Sequence, residues 1–135
     1  MTSYRRERTS VSKLNIHLVF VVKYRKQLFN KEHLETMKTV MFGVAKRMNF
    51  EILEIEGESD HIHLLVEIPP KLSVSQIVNA LKGVSSRMLR KQYLELRRHK
   101  TLWSPSYFAI SCGGAPIDTI KEYIQNQSTP EGVGE

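Results

Sequence analysis

From Leu14 to Val22 the chain reads Leu-Asn-Ile-His-Leu-Val-Phe-Val-Val. The run is β-branched and aromatic, with Ile16, Leu18, Phe20 and Val22 on one face, and it predicts a central strand ended by Lys23-Tyr24-Arg25-Lys26. Asn30 is placed as an N-cap, and Leu34, Met37, Met41, Val44 and Met48 then recur at three- and four-residue spacing, so a helix is predicted over about 31–48. Phe50 to Glu56 reads as a short strand closed by Gly57-Glu58-Ser59-Asp60, and His61 to Ile68 as a second strand stopped by Pro69-Pro70, the two joined as a hairpin. Ser73-Val74-Ser75-Gln76 has capping-box spacing ahead of a stripe of Ile77, Leu81, Val84 and Met88, which predicts a helix from about 74 into the low nineties. Ser106 to Cys112 alternates like a strand. Gly113-Gly114 then breaks the chain, and Pro116 opens a last helix carrying Ile117, Ile120, Tyr123, Ile124 and Gln127.

The order β-α-β-β-α-β-α is that of an α+β protein: a ferredoxin-like, RRM-like antiparallel sheet with helices on one face plus an extra C-terminal helix. Length adds the domain count. With 135 residues the chain buries one sizeable core, so residues 1–128 are expected to form a single domain and 129–135 a flexible tail. At 41% hydrophobic and 25% charged, it is an ordinary globular sequence and not a disordered or disulfide-stapled one. One cysteine, Cys112, cannot form an internal disulfide or begin a CxxC site, which suits a reducing compartment. No stretch reaches the roughly 18 apolar residues of a membrane span, and the polar N-terminus lacks a signal peptide's apolar centre, so a cytoplasmic protein of a bacterium or archaeon is expected.

Charge changes the picture more. The net charge is +6, and it is segregated. Residues 1–31 hold eight basic residues against one acid, and residues 82–100 hold seven against Glu95. Between them, residues 49–70 contain Glu51, Glu54, Glu56, Glu58, Asp60 and Glu67 with no Lys or Arg, and enclose two histidines. Two basic segments around an acidic, histidine-bearing centre suggest a polyanion binder that holds a cation at its middle. Charge alone leaves a solvated basic face equally open.

Alternation decides which face those histidines occupy. In His61-Ile62-His63-Leu64-Leu65-Val66-Glu67-Ile68 the even positions make an apolar face, so His61 and His63 project together from the other, at a spacing that lets two imidazoles hold one metal ion. Two half-exposed polar strand residues are the plainer alternative. On the last helix Tyr123 and Gln127 lie one turn apart on one face. A tyrosine hydroxyl that attacks phosphorus and an amide oxygen that completes a metal shell would make a compact phosphoryl-transfer unit, although an interfacial tyrosine packing its ring is the commoner role.

His61-Ile62-His63 followed by Leu64-Leu65-Val66, then Gly113-Gly114 before a helix reading Tyr123-Ile124-Gln125-Asn126-Gln127, resembles the single-tyrosine HUH transposases, the TnpA enzymes of the smallest insertion sequences. The segment Ile16 to Arg25 is similar to that family's first strand, and the resemblance covers nearly the whole chain. It implies an endonuclease and strand transferase that cuts and rejoins single-stranded DNA at hairpin-bearing transposon ends, with no nucleotide cofactor. Tyr123 on a C-terminal catalytic helix would be the nucleophile joined to the 5′ phosphate, and His61, His63 and Gln127 the metal ligands. The expected ion is Mg2+, with Mn2+ favoured by paired imidazoles on softness grounds. A homodimer is implied, with exchange of the tyrosine helix; Gly113 and Gly114 would be its hinge, or equally an ordinary tight turn.

Other positions carry weaker expectations. Arg5, Arg6, Arg8, Arg87, Arg90 and Lys91 are candidates for gripping DNA phosphates, and Tyr24, Trp103 and Tyr107 for stacking on bases, though each aromatic is more ordinarily core. His17 shares a sheet face with Val19 and Val21 and can approach the site from the neighbouring strand. His33 and His99 read as solvated, and Cys112 as a small apolar residue at a strand end. The rival functions are a non-catalytic single-stranded nucleic-acid-binding module, a domesticated relative that processes chromosomal hairpin repeats, and a replication or transfer nuclease of the same HUH logic.

Overall fold

The structure is a computed structural model that describes the backbone of residues 5–7, 10–12 and 14–112, and side chains from Leu14 onward within that range. Two short strands, β1 (Arg5–Glu7) and β2 (Ser10–Ser12), pair only with each other, Arg6 opposite Val11. Three residues are too few for alternation to show, and the pair is absent from the sequence expectation. The main elements are β3 (Asn15–Val21), α1 (Lys31–Met48), β4 (Glu51–Glu58), β5 (His61–Glu67), α2 (Val74–Gln92) and β6 (Phe108–Ser111). The sheet order is β4-β5-β3-β6 with every neighbouring pair antiparallel, the split β-α-β expected. The C-terminal helix expected beyond Gly113-Gly114, with Tyr123 and Gln127 on it, lies outside the described residues.

Local chemistry sets the helix starts. Asn30 Oδ1 accepts from His33 N at 2.8 Å and Ser73 Oγ accepts from Gln76 N at 3.1 Å, each satisfying one orphan amide of a first turn. His33 is not solvated as expected. It is 2% exposed, because its Nδ1 accepts from Asn30 N and its Nε2–H donates to Glu95 Oε2 at 2.9 Å, which ties α1 to the turn after α2. His99 is likewise half-buried, and its Nε2 is enclosed.

One face of the sheet and the inner faces of the two helices make the main core, in which Leu18, Phe20, Ile62 and Leu64 meet Met37, Met41, Ile77 and Leu81. Each such side chain contributes about 1.5–3 kcal/mol on burial. The inward stripe of α2 is turned from the predicted one. Met88 is exposed, and Val78, Ser85 and Leu89 are buried in its place, because the buried indole of Trp103 donates Nε1–H to Ser85 Oγ at 2.9 Å. Trp103 is therefore core, and the partly buried Tyr107 packs against the same cluster.

Gly57 is inside β4, opposite Ile62, and does not end the strand as predicted. A Cβ there would lie 2.9 Å from Leu34 Cδ2, so the glycine marks where α1 crosses the strand. The turn itself is only Ser59-Asp60.

Candidate functional site

The strands that bury Leu18, Phe20, Ile62 and Leu64 on one side send His17, Val19 and Val21 of β3 and His61, His63 and Leu65 of β5 to the other. His61, His63 and His17 are 5%, 2% and 3% exposed, so the histidines are not half-exposed strand positions. The rings of His61 and His63 have centroids 4.8 Å apart and stand nearly perpendicular. His17, diagonal to His63 across the β3–β5 ladder, brings its Nε2 to 3.1 Å from His63 Nδ1. It therefore does approach the site from the neighbouring strand. Phe108 of β6 meets the His17 ring edge-on at 5.9 Å.

His61 is held from its other side. Its Nδ1–H donates to Asp60 Oδ1 at 2.7 Å, and Asp60 Oδ2 pairs with Arg25 at 3.5 Å. Arg25 reaches it from a turn in which Tyr24 and Arg25 both adopt left-handed backbone, φ 61° and 53°, a conformation uncommon for residues other than glycine, asparagine and aspartate. Asp60 and Arg25 are site residues that sequence reasoning missed; the available signal was only that Asp60 directly precedes His61.

The donor set suits a cation. With its Nδ1–H committed to a carboxylate, the neutral His61 ring has its lone pair on Nε2, and His63 Nε2 is buried without a hydrogen-bond partner. Burial, then the neighbouring His61 and His17, pushes the His63 imidazolium down to about 4, so the ring is neutral near pH 7, as a ligand must be. Burial lowers His17 in the same direction. Across the ladder Glu56 opposes His63 and Glu58 opposes His61, adding acidic residues to the same sheet face. Burial raises the Glu56 carboxyl; its Glu54 neighbour adds to this, and Lys38 opposes it. No group of three or more His, Cys, Asp or Glu is arranged to hold an ion among the described residues. Gln127, the expected third ligand, lies outside them, as do Tyr123, Gly113 and Gly114.

Of the phosphate-gripping candidates, Arg87 and Arg90 of α2 line a cleft of about 380 Å³ with Lys23 and Lys82. A second cleft of about 210 Å³, lined by Lys26, Arg98 and Lys100, adjoins it at Lys23 and Thr101. Neither lining contains an Asp or Glu. Lys91 is exposed but outside both, Arg5 and Arg6 fall in β1 where only the backbone is described, and Arg8 lies outside the described residues. Tyr24, 72% exposed at the rim of the second cleft, is the one stacking candidate left open to solvent among the described aromatics. Cys112 follows β6 and packs on Leu65, and burial raises its thiol, as a small apolar residue there requires.

Fold and site together define a small α+β protein with a buried pair of histidines on an inner strand of its sheet and an acid-free basic cleft lined by α2 and the Lys23 turn. The chain belongs to the IS200-like transposase family, whose model, "Transposase IS200 like", matches residues 10–127. It is 38% identical over 122 residues to the transposase for insertion sequence element IS200 of Salmonella typhimurium, covering 88% of this chain and 80% of that one. It is 32% identical over 124 residues to the ISDra2 transposase TnpA of Deinococcus radiodurans, covering 90% and 89%. The crystal structure of a transposase candidate from Deinococcus radiodurans R1 superposes with a TM-score of 0.75 at 29% identity, covering 93% and 99%. A REP-associated tyrosine transposase bound to a REP hairpin shares the fold, with a TM-score of 0.59 at 16% identity over 92% of this chain and 68% of that one. Among the described residues no helix is long and apolar enough to cross a membrane.

Proposed function

We propose that this transposase is a metal-dependent endonuclease and strand transferase that cuts and rejoins single-stranded DNA at hairpin-bearing element ends through a 5′-phosphotyrosine intermediate. The observation that carries the reading is the buried, partnerless Nε2 of His63 beside the bare Nε2 of His61, in a chain of this family. In the proposed step the Tyr123 oxygen attacks the scissile phosphorus in line, the bond from phosphorus to the 3′ oxygen breaks, and the tyrosine proton ends on the departing 3′ oxygen. Attack by a second 3′-OH reverses the exchange, releasing Tyr123 with its proton restored. One phosphoester replaces another at each stage, so no ATP is consumed.

His61, His63 and Gln127 would hold a divalent ion, Mg2+ or Mn2+, which polarises the phosphate and offsets its charge. His63 contributes by staying neutral near pH 7, and both imidazoles by being fixed in place. The hairpin substrate accords with the DNA bound by the REP-associated neighbour, and the basic clefts offer phosphate contacts through Lys23, Arg87 and Arg90. A homodimer that exchanges the tyrosine helix about Gly113-Gly114 completes the proposal.

The test is a denaturing protein gel after incubating the purified protein with labelled single-stranded hairpin DNA from its element's ends, in Mg2+, Mn2+ or EDTA. A metal-dependent, protease-sensitive adduct mapping to Tyr123 is expected, and Tyr123→Phe is expected to bind the DNA but form no adduct. Cleavage by Tyr123→Phe at the wild-type rate would sink the mechanism.

A further inference from the structure

We infer that His17 is a positioning residue for the metal seat: its Nε2 accepts the Nδ1–H of His63 and so fixes His63 in the one tautomer whose Nε2 can take a metal ion. The inference rests on the metal reading above and adds a residue to it. For His61 the tautomer follows directly from Asp60, since an ionised carboxylate only accepts, which places a proton on Nδ1, so that the neutral ring has its lone pair on Nε2. His63 has no carboxylate at its Nδ1. Its neighbour there is the imidazole of His17 at 3.1 Å, and a proton on either ring would close that hydrogen bond.

Two observations choose between them. With the proton on His17 Nε2, His63 would carry its own proton on Nε2, where the structure gives a buried atom no partner and a metal no lone pair. With the proton on His63 Nδ1, the buried Nε2 becomes an acceptor on the sheet face it shares with His61, whose ring centroid is 4.8 Å away, and a cation held between the two rings would satisfy it. His17 is also held for this task. It is 3% exposed, stacked on His63 with 18° between the ring planes and a centroid distance of 5.4 Å, and met edge-on by Phe108. A metal-bound histidine whose second nitrogen is hydrogen-bonded is fixed in orientation and made a more basic ligand. The seat is thus supported by two different groups, one on a turn and one on the neighbouring strand: Asp60 behind His61, with Arg25 behind Asp60, and His17 behind His63.

The experiment uses the full chain without DNA, with Mn2+ as the probe. Nitrogen-15 NMR of the metal-free wild type is expected to show His63 protonated at Nδ1 and bare at Nε2. Calorimetric titration is expected to show His17→Phe, which cannot accept, weakening Mn2+ binding by about 10- to 100-fold. His17→Gln, whose side-chain oxygen can accept, is expected to recover most of that loss, a rescue that packing alone would not produce. Wild-type Mn2+ affinity in His17→Phe overturns the inference, as does a proton on His63 Nε2 in the wild type. The NMR result decides the point even if His17→Phe does not fold. A wild-type protein that takes up no Mn2+ overturns the metal reading and this inference with it, whereas uptake unaffected by His17→Phe overturns this inference alone.

Discussion

His63 is a titratable side chain held out of water at 2% exposure, and its titration makes that measurable. Burial, with His61 and His17 nearby, lowers its pKa from 6.5 to about 4 in the folded protein. Between those values the unfolded chain binds a proton that the native state does not, so stability rises with pH across the window. It is complete above about 6.5 and is lost as pH falls toward 4. His17 shifts in the same direction, while Glu56, raised by burial, works in the opposite sense, so the comparison needs a variant. In EDTA, the urea-unfolding free energy of the wild type is expected to fall below pH 6.5 by up to about 1.4 kcal/mol per pH unit on account of His63. His63→Asn is expected to flatten that slope, and an equal slope in both proteins would show that His63 is not the group responsible.

The elements were legible in the sequence wherever the information that builds them is local. Asn30 and Ser73 each satisfy an amide three residues on, and the alternation in β5 assigns His61 and His63 to one face without reference to any other strand. What was illegible depends on distant partners. The rotation of α2 is set by Trp103, eighteen residues from Ser85, so Met88 looked as good a core residue as Leu89. Gly57 looked like a strand end because its reason, Leu34, lies on another element. The His17 contact needs the β3–β5 register, which sets His17 opposite Leu65 and therefore diagonal to His63, and neither strand alone contains it. Arg25 reaches Asp60 only through a left-handed turn at two residues that do not advertise one. The Ser85 contact gives the element-scale prediction. Ser85→Ala removes the indole's acceptor from a fully buried site, which is expected to cost about 1–3 kcal/mol in urea unfolding. A loss under about 0.5 kcal/mol, the range of an ordinary surface substitution, would mean that the bond does not set the helix's rotation.

At the scale of the whole molecule, folding converts a segregated charge pattern into a surface with direction. The acidic block supplies β4 and the loop into β5, placing Glu56, Glu58 and Asp60 around the histidines, while the basic block of residues 82–100 meets the Lys23 turn in two adjoining clefts without an acid. The connection is short: Val22 N donates to Asp60 O at 2.9 Å, so the turn that carries Lys23 is tied to the loop that carries the support of His61. Binding to phosphates releases counterions, so each contact adds about 0.7 to the slope of log affinity against log salt for single-stranded DNA and about 0.9 for duplex. Arg87→Gln and Arg90→Gln, measured in EDTA with hairpin-bearing single-stranded DNA, are each expected to lower that slope by about that amount and to weaken binding about equally across DNA sequences. Lys46→Gln, exposed on α1 and outside both clefts, is the charge-matched control and is expected to leave the slope unchanged. Equal losses in cleft and control would mean that net charge alone draws the DNA. A smaller slope only in the cleft variants would mean that the DNA phosphates lie in the basic clefts.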